Sequence, residues 1–128
     1  MRRADQSPRG RAPRPTEKSE EPQRTFTDLG INNIFINIYE KGEFIHPHID
    51  DCRFGPIIYI LSLNSLTIFT LSRLGDNYDN IKIEYELEPN SLFILKDEYR
   101  YHWKHATSPS LDIRYSITFR TICDSDVE

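Results

Sequence analysis

The chain has 128 residues, of which 38% are hydrophobic and 28% charged, and its net charge is −4. These values fit one small globular domain and exclude a second domain of substantial size. The charge is uneven, because residues 1–24 carry a net +3 and residues 25–128 a net −7, so the overall charge of the folded part does not attract a phosphate backbone.

Residues 1–24 are rich in arginine and proline, and Met1 is their only large aliphatic residue. Such a segment cannot bury apolar surface, so it is predicted to be a disordered basic tail ahead of one folded domain at residues 25–128. If the protein binds RNA or DNA, this tail is the part expected to contact phosphates.

The number of cysteines and the lack of long apolar runs indicate the cellular compartment of the protein. Two cysteines and the absence of an apolar secretion signal favour a cytoplasmic or nuclear protein, with no membrane span. The Arg-rich first 16 residues leave mitochondrial import as an alternative, although they contain no Leu, Ile, Phe or Val for an amphipathic face.

From Thr25 onward, short runs of β-forming residues alternate with turn residues at roughly ten-residue spacing. Eight strands are predicted, at residues 33–39, 44–49, 56–63, 66–72, 81–87, 91–96, 99–106 and 113–122. Residues 81–87 alternate strictly between apolar and charged, which indicates one wet face, whereas residues 56–63 are nearly all apolar, as in a strand covered on both faces. The pattern predicts an all-β fold, a jelly roll (double-stranded β-helix) of about eight strands.

A His-Pro-His-Ile-Asp sequence places His46, His48 and Asp50 at alternate positions, so on a strand all three side chains point to one face. A jelly roll brings distant strands together around one cavity, which makes His102 or His105 a candidate third ligand. Two imidazoles and one carboxylate with open positions form the facial triad of non-haem Fe(II) oxygenases, and zinc also binds such a set. The alternative is that the histidines lie on polar strand faces without a metal.

The last predicted strand has one polar and one apolar face, and alternation does not decide which face points inward. The polar face carries Arg114, Ser116, Thr118 and Arg120. If this face is inward, the two guanidinium groups require carboxylate or phosphate partners, and their planar forks suit a dicarboxylate. If the strand is an exposed edge, the inward side chains are instead Tyr115, Ile117 and Phe119.

Several motifs occur in an order that carries more information than any one of them. Asn37-Ile-Tyr39 precedes His48-Ile-Asp50, and a third histidine motif, Arg100-x-x-Trp103-x-His105, follows late in the chain. The sequence Arg-x-Ser-x-Thr-Phe-Arg ends the series at residues 114–120. Over about residues 33–121, this series resembles the AlkB-like family of Fe(II)- and 2-oxoglutarate-dependent dioxygenases.

The resemblance implies a jelly-roll oxidoreductase in which His48, Asp50 and His105 bind iron and are the catalytic residues. It leaves His46 and His102 outside the ligand set. The implied cofactor is Fe(II), with 2-oxoglutarate and O₂ as cosubstrates.

The resemblance also implies a binding site for 2-oxoglutarate. Arg120 is expected to bind the carboxylate nearer the metal and Arg114 the far one. Asn37 and Tyr39 are expected to hydrogen-bond the cosubstrate, with Ser116 lining the same face.

The substrate that the resemblance favours is a modified nucleic acid, RNA or DNA, which would be hydroxylated or oxidatively demethylated. However, fewer than 40 residues precede Asn37, so the nucleotide-recognition lid of the nucleic-acid demethylases is expected to be absent. That departure and the acidic domain favour a second hypothesis, a lid-lacking member acting on a protein or another non-nucleic substrate. A third hypothesis is a non-catalytic module that depends on a partner.

Overall fold

The computed structural model describes residues 25–122. The predicted tail at residues 1–24 and the last six residues lie outside this range. The described part contains seven strands and one short helix, in the order β1 (Asn33–Tyr39), β2 (Phe54–Leu63), β3 (Thr67–Leu74), β4 (Asn80–Leu87), β5 (Ser91–Leu95), α1 (Glu98–Tyr101), β6 (Lys104–Thr107) and β7 (Arg114–Ile122). No helix in this range is long and apolar enough to cross a membrane.

The strands form two sheets, and the predicted all-β jelly roll is confirmed. The larger sheet has the order β1-β7-β2-β5, and the smaller one has the order β4-β3-β6. Every pairing is antiparallel. The core between them is formed by buried side chains of Ile58, Ile60, Phe69, Leu71, Leu87, Leu95 and Trp103.

The predicted strand at residues 44–49 is replaced by an irregular segment along β6. Pro47 has no N–H to donate, and the ladder is reduced to an isolated bridge between His48 and His105. One further backbone hydrogen bond, from the Thr107 N–H to the Ile45 carbonyl (3.2 Å), continues this alignment. The segment therefore borders the smaller sheet without being a regular strand.

The predicted strand at residues 99–106 divides into the single turn of α1 and the short strand β6. The indole N–H of Trp103 donates to a Glu98 carboxylate oxygen (3.2 Å), which ties the end of the turn to its start. The turn directs Arg100 into the protein, where it is only 1% exposed. Strand alternation could not predict this inward arginine.

Candidate metal centre and anion pocket

The register of the larger sheet places the polar residues of β1 and β7 on one inward face. Tyr39 pairs with Arg114, Asn37 with Ser116, and Asn33 with Arg120. Directly opposed residues in an antiparallel pair point to the same side, and Arg114 and Ser116 are buried. The polar face of β7 is thus the inward one, and its apolar face points away from the core.

Three side chains from two segments meet in this space. His48 and Asp50 come from the segment beside β6, and His105 comes from β6 itself, with one donor atom of each residue within 4.8 Å of the others. His48 Nε2 lies 3.0 Å and His105 Nε2 lies 3.6 Å from the same Asp50 Oδ1 atom. The backbone bridge fixes this approach, because His48 N–H donates to the His105 carbonyl (3.1 Å) and His105 N–H donates to the His48 carbonyl (2.8 Å).

The electrostatics of the three groups suit metal ligation. Burial lowers the pKa of His105 to about 4, so its imidazole is neutral at physiological pH. Burial also raises the pKa of Asp50, but the hydrogen bond from His48 and the charges of His48 and Arg100 outweigh this effect and hold the pKa below its usual value. The hydrogen bond with Asp50 raises the pKa of His48. An ionised carboxylate and a neutral imidazole are therefore in place, and His48 becomes a ligand when its proton leaves.

Arg100 holds the loop that follows the first two ligands. Its guanidinium donates to the backbone carbonyls of Asp50 (3.4 Å), Asp51 (2.8 Å) and Phe54, with Nε 3.2 Å from the last of these oxygens. A Cβ at Gly55 would lie 3.0 Å from Arg100 Nε, and the φ of +123° at this residue also favours glycine. Arg100 thus positions the loop through main-chain oxygens, which leave no pattern in the sequence.

Arg114 provides a buried cation in the same space. It is 2% exposed, one terminal nitrogen donates to Ser62 Oγ (3.0 Å), and its guanidinium carbon lies 4.5 Å from the centre of the Tyr39 ring. Its Nε has no hydrogen-bond partner among the described residues. Burial lowers the pKa of Arg114, because the charged guanidinium is removed from water. A carboxylate bound beside it would stabilise this charge through charge-assisted hydrogen bonds.

Arg120 lies at the other end of the polar face. Its Nε donates to Asn33 Oδ1 (2.9 Å), and its guanidinium carbon lies 3.7 Å from the centre of the Phe54 ring and 5.3 Å from that of Phe35. Burial lowers the pKa of Arg120, and the charge of Asp50 opposes this effect. Its hydrogen bond to Asn33 uses only Nε, so the two terminal nitrogens of Arg120 can donate to an anion in the cavity.

One cavity of about 230 Å³ contains all eight residues that the sequence analysis identified as site residues: Asn37, Tyr39, His48, Asp50, His105, Arg114, Ser116 and Arg120. Its volume is below the roughly 300–1,000 Å³ of pockets for drug-sized ligands, so it suits a compact acid. His46 lies outside it against Phe44, with ring centres 4.9 Å apart, and His102 lines a separate groove. Sequence reasoning missed Arg100, Ser62 and Asn33, which contact site residues from neighbouring elements.

The residues fit a divalent metal with a dicarboxylate cosubstrate. Two imidazoles and one carboxylate leave coordination positions open, which is the donor set of non-haem Fe(II) oxygenases. The unpartnered Nε of buried Arg114 supplies an anchor for a carboxylate away from the metal. The arrangement can therefore hold a metal and a small diacid side by side.

Comparison with known proteins identifies a family and a relative of this chain. The family model described as the 2OG-Fe(II) oxygenase superfamily matches residues 7–120. The chain is 33% identical to "Uncharacterized protein L905" of Acanthamoeba polyphaga mimivirus, in an alignment that covers 79% of this chain and 53% of that relative. The chain thus spans about half the length of the curated relative that it matches.

Proposed function

The chain belongs to the 2OG-Fe(II) oxygenase superfamily, and from this membership we propose that it is an Fe(II)- and 2-oxoglutarate-dependent oxygenase that hydroxylates a substrate C–H bond. One observation carries the proposal: a His-Asp-His cluster and a buried arginine with an unpartnered Nε line the same small cavity. A histidine cluster with only a structural role would not need a buried arginine beside it.

In this proposal His48, Asp50 and His105 hold the metal. When bound, Fe(II) and 2-oxoglutarate would supply the oxidation, with one oxygen atom of O₂ going to the substrate and the other to succinate, and with CO₂ released from the cosubstrate. The ionised Asp50 offsets charge on the metal, and neutral His105 offers a lone pair. Arg100 keeps the ligand loop in position through its carbonyls.

The same proposal assigns the cosubstrate contacts. Arg120 binds the carboxylate nearer the metal, and Arg114, which lies against Tyr39, binds the far one. Asn37 and Tyr39 donate hydrogen bonds to 2-oxoglutarate, and Ser116 lines the cavity between the two arginines. Arg114 is buried, so little water can compete for its contact with the far carboxylate.

For the substrate, we propose the AlkB-like activity: hydroxylation of a modified nucleic acid or, where the carbon is an N-methyl group, loss of formaldehyde and demethylation. A groove on the other side of the His48–Asp50 segment supports this choice, because Pro47 and Ile49 line it together with the cations Arg73 and Lys104. None of its lining residues is acidic, in contrast with the net −7 of residues 25–128. The basic residues 1–24 add further positive charge for phosphates.

A protein substrate is the second candidate. The observation that favours it is the same net charge of −7, which repels a polyanion except where cations cluster.

The activity is tested with the full chain, Fe(II), 2-oxoglutarate and O₂, by measuring succinate with and without methylated oligonucleotides or methylated peptides. His48→Ala, Asp50→Ala and His105→Ala should each abolish succinate formation, and His46→Ala is the matched control that should keep it. Equal loss in His46→Ala and His48→Ala would show that the ligand assignment is wrong. Stimulation by peptides alone would make the protein substrate the leading candidate.

A further inference from the structure

Ser62 is a buried serine on β2 that contacts one of the two cavity arginines, although it does not line the cavity itself. It is 0% exposed and follows Ile58 and Ile60 at alternate positions, so its hydroxyl points inward like the side chains of these two core residues. A hydroxyl at such a position needs a hydrogen-bond partner, because an unpaired polar group is costly to bury. Its partner is Arg114, whose Nη1 donates to Ser62 Oγ (3.0 Å).

The contact with Ser62 determines which edge of the Arg114 guanidinium is free. A guanidinium offers two forks to a carboxylate, one made by its two terminal nitrogens and one made by Nε and Nη2. Ser62 engages Nη1, which belongs only to the first fork, whereas Nε has no hydrogen-bond partner among the described residues. The Tyr39 ring covers one face of the group, with its centre 4.5 Å from the guanidinium carbon. The edge formed by Nε and Nη2 is thus the one left for an anion.

These two contacts hold the guanidinium from different sides. Arginine has a long side chain with many rotamers, and each contact reduces the number that it can adopt. Ser62 lies on a strand that is paired on both sides, with Ser116 opposite it on β7 and Ser91 opposite it on β5. A position in the middle of a sheet cannot shift easily, so a cation that is hydrogen-bonded to it has a fixed place in the cavity.

A cation in a fixed place sets which acids fit the cavity. The metal-ligand cluster and Arg114 line the same space of about 230 Å³. A diacid that binds the metal through one carboxylate therefore has to reach Arg114 with the other, and its chain length decides whether it can. In a fitted pocket, one methylene group more or less changes the affinity roughly 10-fold to 200-fold. Selection by length requires that Arg114 does not move.

We propose that Ser62 is a positioning residue, which presents the Nε–Nη2 edge of Arg114 to the far carboxylate and thereby selects a five-carbon 2-oxo diacid over longer ones. The inference rests on the proposed function, since it takes this diacid as the cosubstrate bound at the metal. Loss of the Ser62 hydroxyl would leave Nη1 without its acceptor, so the guanidinium could turn away from its place. Binding of the far carboxylate would then also have to order the arginine, which lowers the affinity.

The test measures binding by calorimetry, with the full chain loaded with a redox-inert divalent metal. Three ligands are compared: 2-oxoglutarate, the longer diacid 2-oxoadipate, and 2-oxopentanoate, which has the length of 2-oxoglutarate but no far carboxylate. Wild type should bind 2-oxoglutarate roughly tenfold or more tightly than either of the others. Ser62→Ala should bind 2-oxoglutarate roughly tenfold more weakly, should prefer it less over 2-oxoadipate, and should bind 2-oxopentanoate as wild type does.

Ser91→Ala is the matched control, because it removes a hydroxyl opposite Ser62 on the neighbouring strand and should leave all three affinities unchanged. Circular dichroism verifies that both variants are folded. The proposal is overturned if Ser62→Ala binds 2-oxoglutarate as tightly as wild type, or if it loses affinity for all three ligands equally. A wild type that does not distinguish 2-oxoglutarate from 2-oxoadipate overturns it without any variant. A wild type that binds none of the three ligands would refute the proposed function as well.

Discussion

Acidification of the metal-free protein should lower its stability through one buried residue, His105. This imidazole is 6% exposed and stacks on Phe69, with ring centres 5.6 Å apart and planes 11° from parallel. Burial lowers its pKa from the usual 6.5 to about 4. Between these two pH values the unfolded chain binds a proton at His105 and the folded chain does not, so the free energy of unfolding falls as the pH falls.

The size of the effect follows from the difference between the two pKa values. At 1.36 kcal/mol for each pKa unit, acidification from pH 6.5 to pH 4 should remove about 3 kcal/mol of stability. His48 contributes little to this loss of stability. Its pKa is raised in the folded protein, so the stability that its proton adds is already present below pH 6.5, its pKa in the unfolded chain. Asp50 has a lowered pKa, so its stabilisation is lost only as the pH falls below 3.8 towards its folded pKa.

The assay is denaturant unfolding of the chelator-treated protein, followed by circular dichroism between pH 6.5 and pH 4. His105→Gln removes the titrating group, so this variant should not lose the roughly 3 kcal/mol that the wild type loses. The free energy of unfolding of wild type minus that of the variant should therefore fall by about 3 kcal/mol between pH 6.5 and pH 4. His46→Gln, at an exposed histidine outside the cavity, is the control and should keep the wild-type slope. An unchanged slope in His105→Gln would show that the buried imidazole is not the source.

Three further changes test other parts of the site. Arg120→Lys keeps the charge but loses the planar fork, so 2-oxoglutarate affinity, measured by calorimetry with a redox-inert divalent metal, should fall roughly 10-fold to 150-fold; an unchanged affinity would place Arg120 outside the site. Arg100→Met removes the donors to the carbonyls of Asp50 and Phe54, so metal affinity should fall roughly 10-fold to 100-fold while the ligands stay intact; wild-type metal binding would contradict a positioning role. Deletion of residues 1–24 should leave metal binding intact but weaken oligonucleotide binding and reduce its salt dependence; an identical salt slope would place recognition in the folded domain.

Composition and the alternation of apolar and polar residues predicted most of the fold, because most strands follow one rule of side-chain burial along their length. Residues 56–63 are apolar on both faces, and the observed strand β2 is central with Ile58 and Ile60 in the core. The rule failed at residues 44–49, where Pro47 interrupts the ladder, and at residues 98–101, where a turn directs Arg100 inward. Both failures depend on main-chain geometry that side-chain patterns do not record.

The orientation of β7 shows why the site could not be derived from alternation alone. Hydrophobicity would turn Tyr115, Ile117 and Phe119 inward, yet the structure buries Arg114 and Ser116. The polar side chains of this strand line a cavity that suits a charged ligand, and the apolar side chains lie on the outer face. Only the order of motifs along the chain indicated this arrangement before the structure did.

The backbone bridge between His48 and His105 has a consequence for how the protein responds to metal loss. Its two hydrogen bonds join ligand segments that are far apart in sequence. The entropic cost of closing the intervening loop is therefore incurred when the protein folds, before any metal binds. Metal binding then need not order the chain, unlike in small zinc domains that fold only with their metal. We therefore expect both sheets to stay folded when the metal is removed, because the hydrogen bonds between His48 and His105 do not involve it.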